Sequence, residues 1–214
     1  MTPERTAKFK RVARSRQPDL CVILENVHDH HNIGAVLRSC DSVGIQQIFI
    51  LNTEAGLEDK NIEIGRRTSM GAQKWVDVHF YADVEACFQH VKQSCDLVFG
   101  THLSEESKVL YELDLSQSVA ILFGNERDGI SDKVLPYLDG NFMIPQVGMV
   151  ESLNISVACA VTLYEAYRQR AAKGYYEEHP STTPSQQNTL FQEFVDRHKS
   201  GDSRLIVARK SGDV

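Results

Sequence analysis

Cysteine is scarce in the sequence, at positions 21, 40, 87, 95 and 159, and no two of the five form C-x-x-C. An odd count without paired spacing argues against a disulfide framework or a zinc ribbon and fits reduced thiols in the cytoplasm. No apolar run reaches the roughly 18 residues of a membrane span. The charged N-terminus has no apolar stretch behind it, so no secretory signal is expected either. The thirteen glycines never fall into G-x-G-x-x-G, and G-x-x-x-x-G-K-[ST], G-x-S-x-G and H-E-x-x-H are all missing. The usual dinucleotide, phosphate-loop, hydrolase and zinc-protease signatures are therefore excluded. His28, His30 and His31 crowd together, but no Cys or His follows at ligand spacing and the adjacent pair is expected to point apart; no metal is expected.

Positive charge is also in the minority: 23 Lys and Arg against 29 Asp and Glu leave a formal net charge of −6. Taken as a total, this argues against a nucleic-acid partner. The distribution reverses the argument. Residues 1–16 carry six basic side chains (Arg5, Lys8, Lys10, Arg11, Arg14, Arg16) against Glu4, a net of +5. From Arg168 onward eight basic residues face six acidic ones, so the middle of the chain holds −13. An acidic body behind a basic arm can grip a polyanion at one edge, with Arg11, Arg14 and Arg16 as candidate phosphate contacts.

What the sequence does have is the composition of a soluble globular protein, 42% hydrophobic and 24% charged over 214 residues. Leu20–Leu24 is a continuous apolar run of strand length, and Gln46–Leu51, Trp75–Phe80, Asp96–Thr101, Val119–Phe123 and Asn141–Ile144 read as further strands. Helical patterns cover Asn32–Val43, Asn61–Met70, Val84–Val91 and, longest, Leu153–Arg170. Short apolar strands alternating with amphipathic helices imply an α/β fold, a parallel sheet with helices on both faces. Tyr175–Asn188 is polar and reads as an exposed linker, Leu190–His198 as a short amphipathic helix, and Lys199–Val214 as a disordered tail. The expected organisation is a basic extension over 1–19, one domain over 20–172, and a partly flexible extension over 173–214.

Three segments concentrate chemistry. In His31-Asn32-Ile33-Gly34-Ala35-Val36-Leu37-Arg38-Ser39, Asn32 is a good N-cap and Arg38 lies on the helix it starts. In Ile121-Leu122-Phe123-Gly124-Asn125-Glu126-Arg127-Asp128-Gly129-Ile130, an apolar strand ends abruptly in polar residues, where open α/β sheets bind ligands. In Phe142 to Ala158, a strand stops at Pro145 and an apolar loop, Val147–Val150, leads to Ser152 and Asn154 at a helix start. That combination suits a ligand with apolar and polar parts. Each segment alone also fits ordinary capping, an ordinary turn or a solvated arginine.

In this order, the three segments resemble the motifs of the SpoU/TrmH family of RNA ribose 2'-O-methyltransferases, within the SPOUT superfamily. The resemblance covers Pro18 to Arg170 and extends to Arg16–Leu20, Thr101–Ser104, Gly148–Asn154 and Leu163–Ala166. It implies a C-terminal deep trefoil knot made by Leu122 to about Arg170. It also implies S-adenosylmethionine bound bent against backbone groups, at positions matching Thr101, Leu103, Gly124, Ile144 and Leu153. A homodimer would complete each site across its interface.

The implied reaction moves a methyl group from a sulfonium to a ribose 2'-hydroxyl, which must lose its proton as the new bond forms. Arg38 matches the family's catalytic arginine. Guanidinium groups stay protonated below about pH 12, so two roles stand open: transient proton acceptor, or electrostatic stabiliser of the forming alkoxide. Asn32, Glu126, Ser152 and Asn154 match residues that position this arginine and the cofactor, and Arg66 and Arg67 are candidate phosphate contacts nearer the site. The substrate implied is tRNA, at guanosine 18 of the D-loop. Ribosomal RNA, the tRNA wobble nucleotide, or a non-catalytic RNA-binding role on the same fold are the alternatives. Only about 19 residues precede the first strand, too few for the folded RNA-binding domain that ribosomal relatives often carry.

Overall fold

The computed structural model describes residues 1–54, 64–102, 104, 106–125, 127–201 and 205–207. In chain order the elements are α1 (Pro3–Arg14), β1 (Leu20–Glu25), α2 (His30–Ser42), β2 (Gln47–Leu51), the single turn α3 (Arg66–Ser69), β3 (Asp77–Tyr81) and α4 (Val84–Val91). Then follow β4 (Leu97–Gly100), β5 (Lys108–Val109), β6 (Val119–Phe123), β7 (Gly140–Met143), α5 (Ile155–Ala172), α6 (Pro184–Ser200) and β8 (Leu205–Val207). The strands lie in the order β5-β7-β4-β6-β1-β2-β3-β8, and every described pairing is parallel.

The apolar runs explain this order. β1 is buried at all six positions and β6 at all five, as strands covered on both faces must be. Period-two alternation sends Leu20, Val22 and Leu24 of β1 to one core, with Val36, Leu37 and Cys40 of α2 and Cys159, Leu163 and Ala166 of α5. Cys21 and Ile23 go to the opposite core, with Phe88 and Val91 of α4 and Val134. Each fully buried Leu or Ile contributes about 1.5–3 kcal/mol relative to exposure, so a register slip of one residue is strongly disfavoured.

The termini depart from the sequence-based expectation. The basic arm is the helix α1, capped by Thr2 with Pro3 in its first turn, and it packs Phe9 and Ala13 against Phe194 and Val195 of α6. α6 is longer than its apolar pattern suggested because Thr183 and Gln186 form a reciprocal capping box ahead of it. The stretch 175–188 is not a bare linker: the Tyr176 hydroxyl donates to Val43 O at 2.8 Å, and buried His179 lies 3.1 Å from Asp19 Oδ1. Within the expected tail, Leu205–Val207 pairs with β3; residues 202–204 and 208–214 lie outside the described residues. The helix expected over 61–70 is reduced to α3, ended by Met70 in the left-handed region (φ 49°), with 61–63 outside the described residues.

Candidate cofactor cleft and catalytic residues

A cleft of about 710 Å³ opens at the carboxyl ends of β4, β6 and β7, where the chain leaves the parallel sheet. Thr101, Gly124, Ile144, Ser152 and Leu153 all line it, drawn from four separate stretches of sequence. Phe123, Phe142 and Ile155 add apolar lining, and His102, Asn125 and Arg127 add polar lining. Both size and lining are those of a small-molecule site.

The wall after β6 is a tight loop. Asn125 and Gly129 exchange both backbone hydrogen bonds at 2.9 Å, which brings Gly129 over Gly124. A Cβ on Gly124 would sit 2.2 Å from Gly129 O, so only glycine fits, and Gly129 takes a φ of +71° that favours glycine. The Asn125 side chain accepts from Arg127 N at 2.7 Å and donates to Asn26 O at 2.8 Å. Beneath the loop, Glu25 is fully buried, and that burial pushes its carboxyl above the ordinary glutamate range.

Asn154 caps α5: its Oδ1 accepts from Ser156 N at 2.9 Å while its Nδ2 donates to Asn32 Oδ1 at 3.2 Å. That bond spans 122 positions of sequence and joins the first segment to the third. Asn32 is not the N-cap of α2, however. Asp29 holds that position, accepting from His31 N at 2.8 Å, which frees Asn32 in the first turn to meet Asn154.

Arg38 is exposed, and its side chain makes no hydrogen bond or ion pair within the described residues. It stands six residues beyond Asn32, about 9 Å along the helix and on another face, and it is not among the residues lining the cleft. Glu126 and Leu103 lie outside the described residues, as does the Arg66 side chain. Arg67 is exposed on α3.

Of the arm's candidates, Arg11 is exposed, and exposed Arg14 donates through Nε to Glu177 O at 2.6 Å. Arg16 must be corrected. It is buried, donating to Ile45 O at 2.7 Å, Asp41 Oδ1 at 2.7 Å and Trp75 O at 3.1 Å, and so cannot meet a phosphate. His30 and His31 also do not diverge: their ring centroids are 4.1 Å apart. Among the described residues no cluster of His, Cys, Asp or Glu is arranged to hold a metal, and no helix is long and apolar enough to cross a membrane. Sequence reasoning passed over Asn26, whose signal was an Asn directly after an apolar run that ends in Glu25; such residues tolerate the left-handed conformation seen here, φ 52°.

The model of the SpoU rRNA Methylase family matches residues 19–164. The chain belongs to the SpoU methylase family. It is 42% identical over 176 residues to a tRNA (guanosine(18)-2'-O)-methyltransferase of Thermus thermophilus, covering 82% of this chain and 88% of that one. The structure of the A. aeolicus TrmH/SpoU tRNA modifying enzyme is similar with a TM-score of 0.80 and 30% identity, covering 92% of this chain and 96% of that one. An AdoMet-bound rRNA methyltransferase from Sinorhizobium meliloti is similar with a TM-score of 0.60 and 26% identity, covering 74% of this chain and 59% of that one. The SpoU parallel sheet with helices on both faces is thus the fold of this chain.

Proposed function

We propose that the chain is an S-adenosylmethionine-dependent methyltransferase acting on the ribose 2'-hydroxyl of guanosine 18 in tRNA, as a homodimer in the cytoplasm. The observation that carries the reading is the convergence of the second and third motif segments on one cleft, to which the first is tied by the 3.2 Å bond between Asn154 and Asn32. The tRNA substrate is supported by the Thermus thermophilus and A. aeolicus relatives. The extent of the catalytic unit is taken as 20–172, with the extensions bound to it through the buried Arg170–Asp19 and Arg197–Asp77 pairs, 2.6 and 2.7 Å. For the family's knot, the support is topological: β7 lies outside β4, yet α5, which follows it, packs with α2 beneath β1.

The cleft suits the cofactor on its own chemistry. Ile144, Leu153 and Phe142 offer apolar surface to a purine, and Thr101 with the backbone around Gly124 offers polar partners to the ribose and amino-acid parts; Leu103 joins them by resemblance. Bound there, S-adenosylmethionine supplies an electrophilic methyl group. Ser152, Asn154 and Asn32 hold the boundary between cofactor and ribose, and Glu126 shares that role by its match to the second motif. Arg38 orients the ribose and phosphate and lowers the energy of the oxygen as its proton passes to water.

Because Arg38 stands away from its own cleft, we assign it to the cleft of a second copy. The exposed Val157, Tyr164 and Tyr167 on α5, at 46, 54 and 40% exposure, form an apolar face next to α2 that a second copy would cover. Arg11 and Arg14, with Arg66 and Arg67, are left to grip the RNA backbone.

The test is to incubate unmodified tRNA and ribosomal RNA with the protein and labelled S-adenosylmethionine, then map the methylated nucleoside by nuclease digestion and mass spectrometry. Label at ribose 18 of tRNA is expected. Label only at the wobble position or in ribosomal RNA would replace the substrate assignment, and no label would remove the enzymatic reading.

A further inference from the structure

Two consecutive polar residues at the carboxyl end of β1 have no part in the scheme above. The buried Glu25 carboxylate accepts from Ser131 N at 3.1 Å and from Ser131 Oγ at 2.5 Å. Asn26 accepts through its backbone oxygen from Asn125 Nδ2 at 2.8 Å. Asn26 is itself anchored: its Oδ1 accepts from Thr53 N at 2.8 Å and its Nδ2 donates to Thr53 Oγ1 at 3.1 Å. Lys133, two residues beyond Ser131, reaches back to donate to Thr53 O at 3.1 Å. The loop over 124–131 is therefore held from below near both ends, by neighbours on the central strand of the sheet.

Between these holds, Gly124, Asn125, Arg127, Asp128 and Gly129 all line the cleft, whereas Glu25, Asn26 and Ser131 do not. Burying a carboxylate is costly unless its hydrogen bonds are made, and packing alone would be served as well by an aliphatic side chain. The left-handed backbone of Asn26, which asparagine tolerates better than most residues, adds a smaller local cost at the same spot. Both are spent on the height of one loop.

We propose that Glu25 and Asn26 are positioning residues for cofactor binding, setting the wall formed by Gly124, Asn125, Arg127, Asp128 and Gly129 through Ser131 and Asn125. This rests on reading the cleft as the S-adenosylmethionine site. Neither residue touches the cofactor; each acts through the loop. Loosening either hold costs affinity for the cofactor and leaves the chemical step intact once the cleft is filled.

The experiment compares the full chain with Ser131→Ala, Glu25→Gln and the double variant. S-adenosylmethionine affinity is measured by calorimetry, kcat and the KM for tRNA at saturating cofactor, and amide exchange of the 124–131 segment without cofactor. Each single variant is expected to raise the cofactor Kd about tenfold. The double variant should be no worse than the poorer single one, because both act on the one Glu25–Ser131 contact: Ser131→Ala removes the hydroxyl bond and leaves the backbone one, and Glu25→Gln leaves a single oxygen to accept. Exchange in the loop should quicken while that of β1 and α5 stays unchanged, and kcat and the KM for tRNA should stay within about twofold. A Kd within twofold of the parent, an unaltered loop exchange, or a fall in kcat at unchanged Kd would each overturn the proposal. Should Glu25→Gln not fold, Ser131→Ala decides alone. A parent chain that binds no cofactor would sink the functional reading instead, and loop exchange would still decide whether the clamp exists.

Discussion

Replacing Arg16 by Met separates a structural arginine from an RNA-binding one. The guanidinium is 2% exposed, makes three hydrogen bonds, and stands 5.5 Å over the Phe194 ring. Burial lowers its pKa, opposed chiefly by Asp41. Breaking a buried pair by removing one partner costs about 3–5 kcal/mol, because the other charge is left without compensation. Asp41 is 34% exposed and recovers some hydration, which places this case at the lower end. Two carbonyls, Ile45 O and Trp75 O, lose a donor, while the methionine restores most of the packing volume. A loss of about 3 kcal/mol follows, and about 6–12 °C in Tm for a chain of this size.

The assay is urea unfolding, in which the midpoint should fall at constant slope, alongside tRNA binding across a salt series. The folded variant should keep the parent's salt slope, since Arg16 meets no phosphate. Arg11→Ala should do the reverse, with an unchanged midpoint and a slope reduced by about one unit. An Arg16→Met protein with unchanged midpoint and a shallower salt slope would refute the assignment. Deleting residues 1–16 as a block cannot make the distinction, because it also uncovers Phe194 and Trp75.

Gly124→Ala should abolish cofactor binding, since its Cβ would lie 2.2 Å from Gly129 O and force the cleft wall to move; calorimetry checks it. Arg38→Ala should abolish transfer with cofactor affinity nearly unchanged. Mixing Arg38→Ala with Asn154→Ala chains should restore part of the activity, because one site of each mixed dimer then has both residues; no recovery after subunit exchange would place Arg38 in its own cleft. His79 is pushed down from 6.5 to about 4, by burial and then by the neighbouring His90, with Asp77 opposing. The unfolded chain therefore binds more protons between those values, and stability falls as pH drops from 6.5 toward 4. His79→Phe, which keeps an aromatic ring on Phe49, should flatten the dependence of the urea midpoint between pH 7 and 5.

The central sheet was legible because strands covered on both faces must be apolar throughout, and LCVIL and VAILF admit few other readings. The candidate site was legible only as three separate fragments, of which the second and third line the cleft. Nothing local says that Asn154 meets Asn32, since the contact depends on α2 and α5 packing side by side on one face of the sheet. Cap chemistry misled in a specific way: Asp29 and Asn32 are both good N-caps three residues apart, and only the packing selects Asp29. Polar composition hid the docking of 175–188, because Tyr176 and His179 are anchored through polar contacts that a hydropathy pattern does not register. The clamp under the 124–131 loop was illegible for the same reason, as Glu25 and Ser131 are 106 positions apart.

Net charge was the least informative number, and the structure shows why. Arg16, Arg170 and Arg197 are buried against Asp41, Asp19 and Asp77, so three cations and three anions cancel inside the fold and offer nothing to a partner. On α1, burying Phe9 and Ala13 against α6 fixes the helix about its own axis. At about 100° per residue, Lys8, Arg11 and Arg14 then centre on the side opposite that buried face, one per turn and about 4.5 Å apart. All three are exposed. A polyanion approaching α1 therefore meets an outward stripe of positive charge whose direction is set by two apolar side chains, and the proposed grip on RNA rests on that orientation, which no sum over the chain contains.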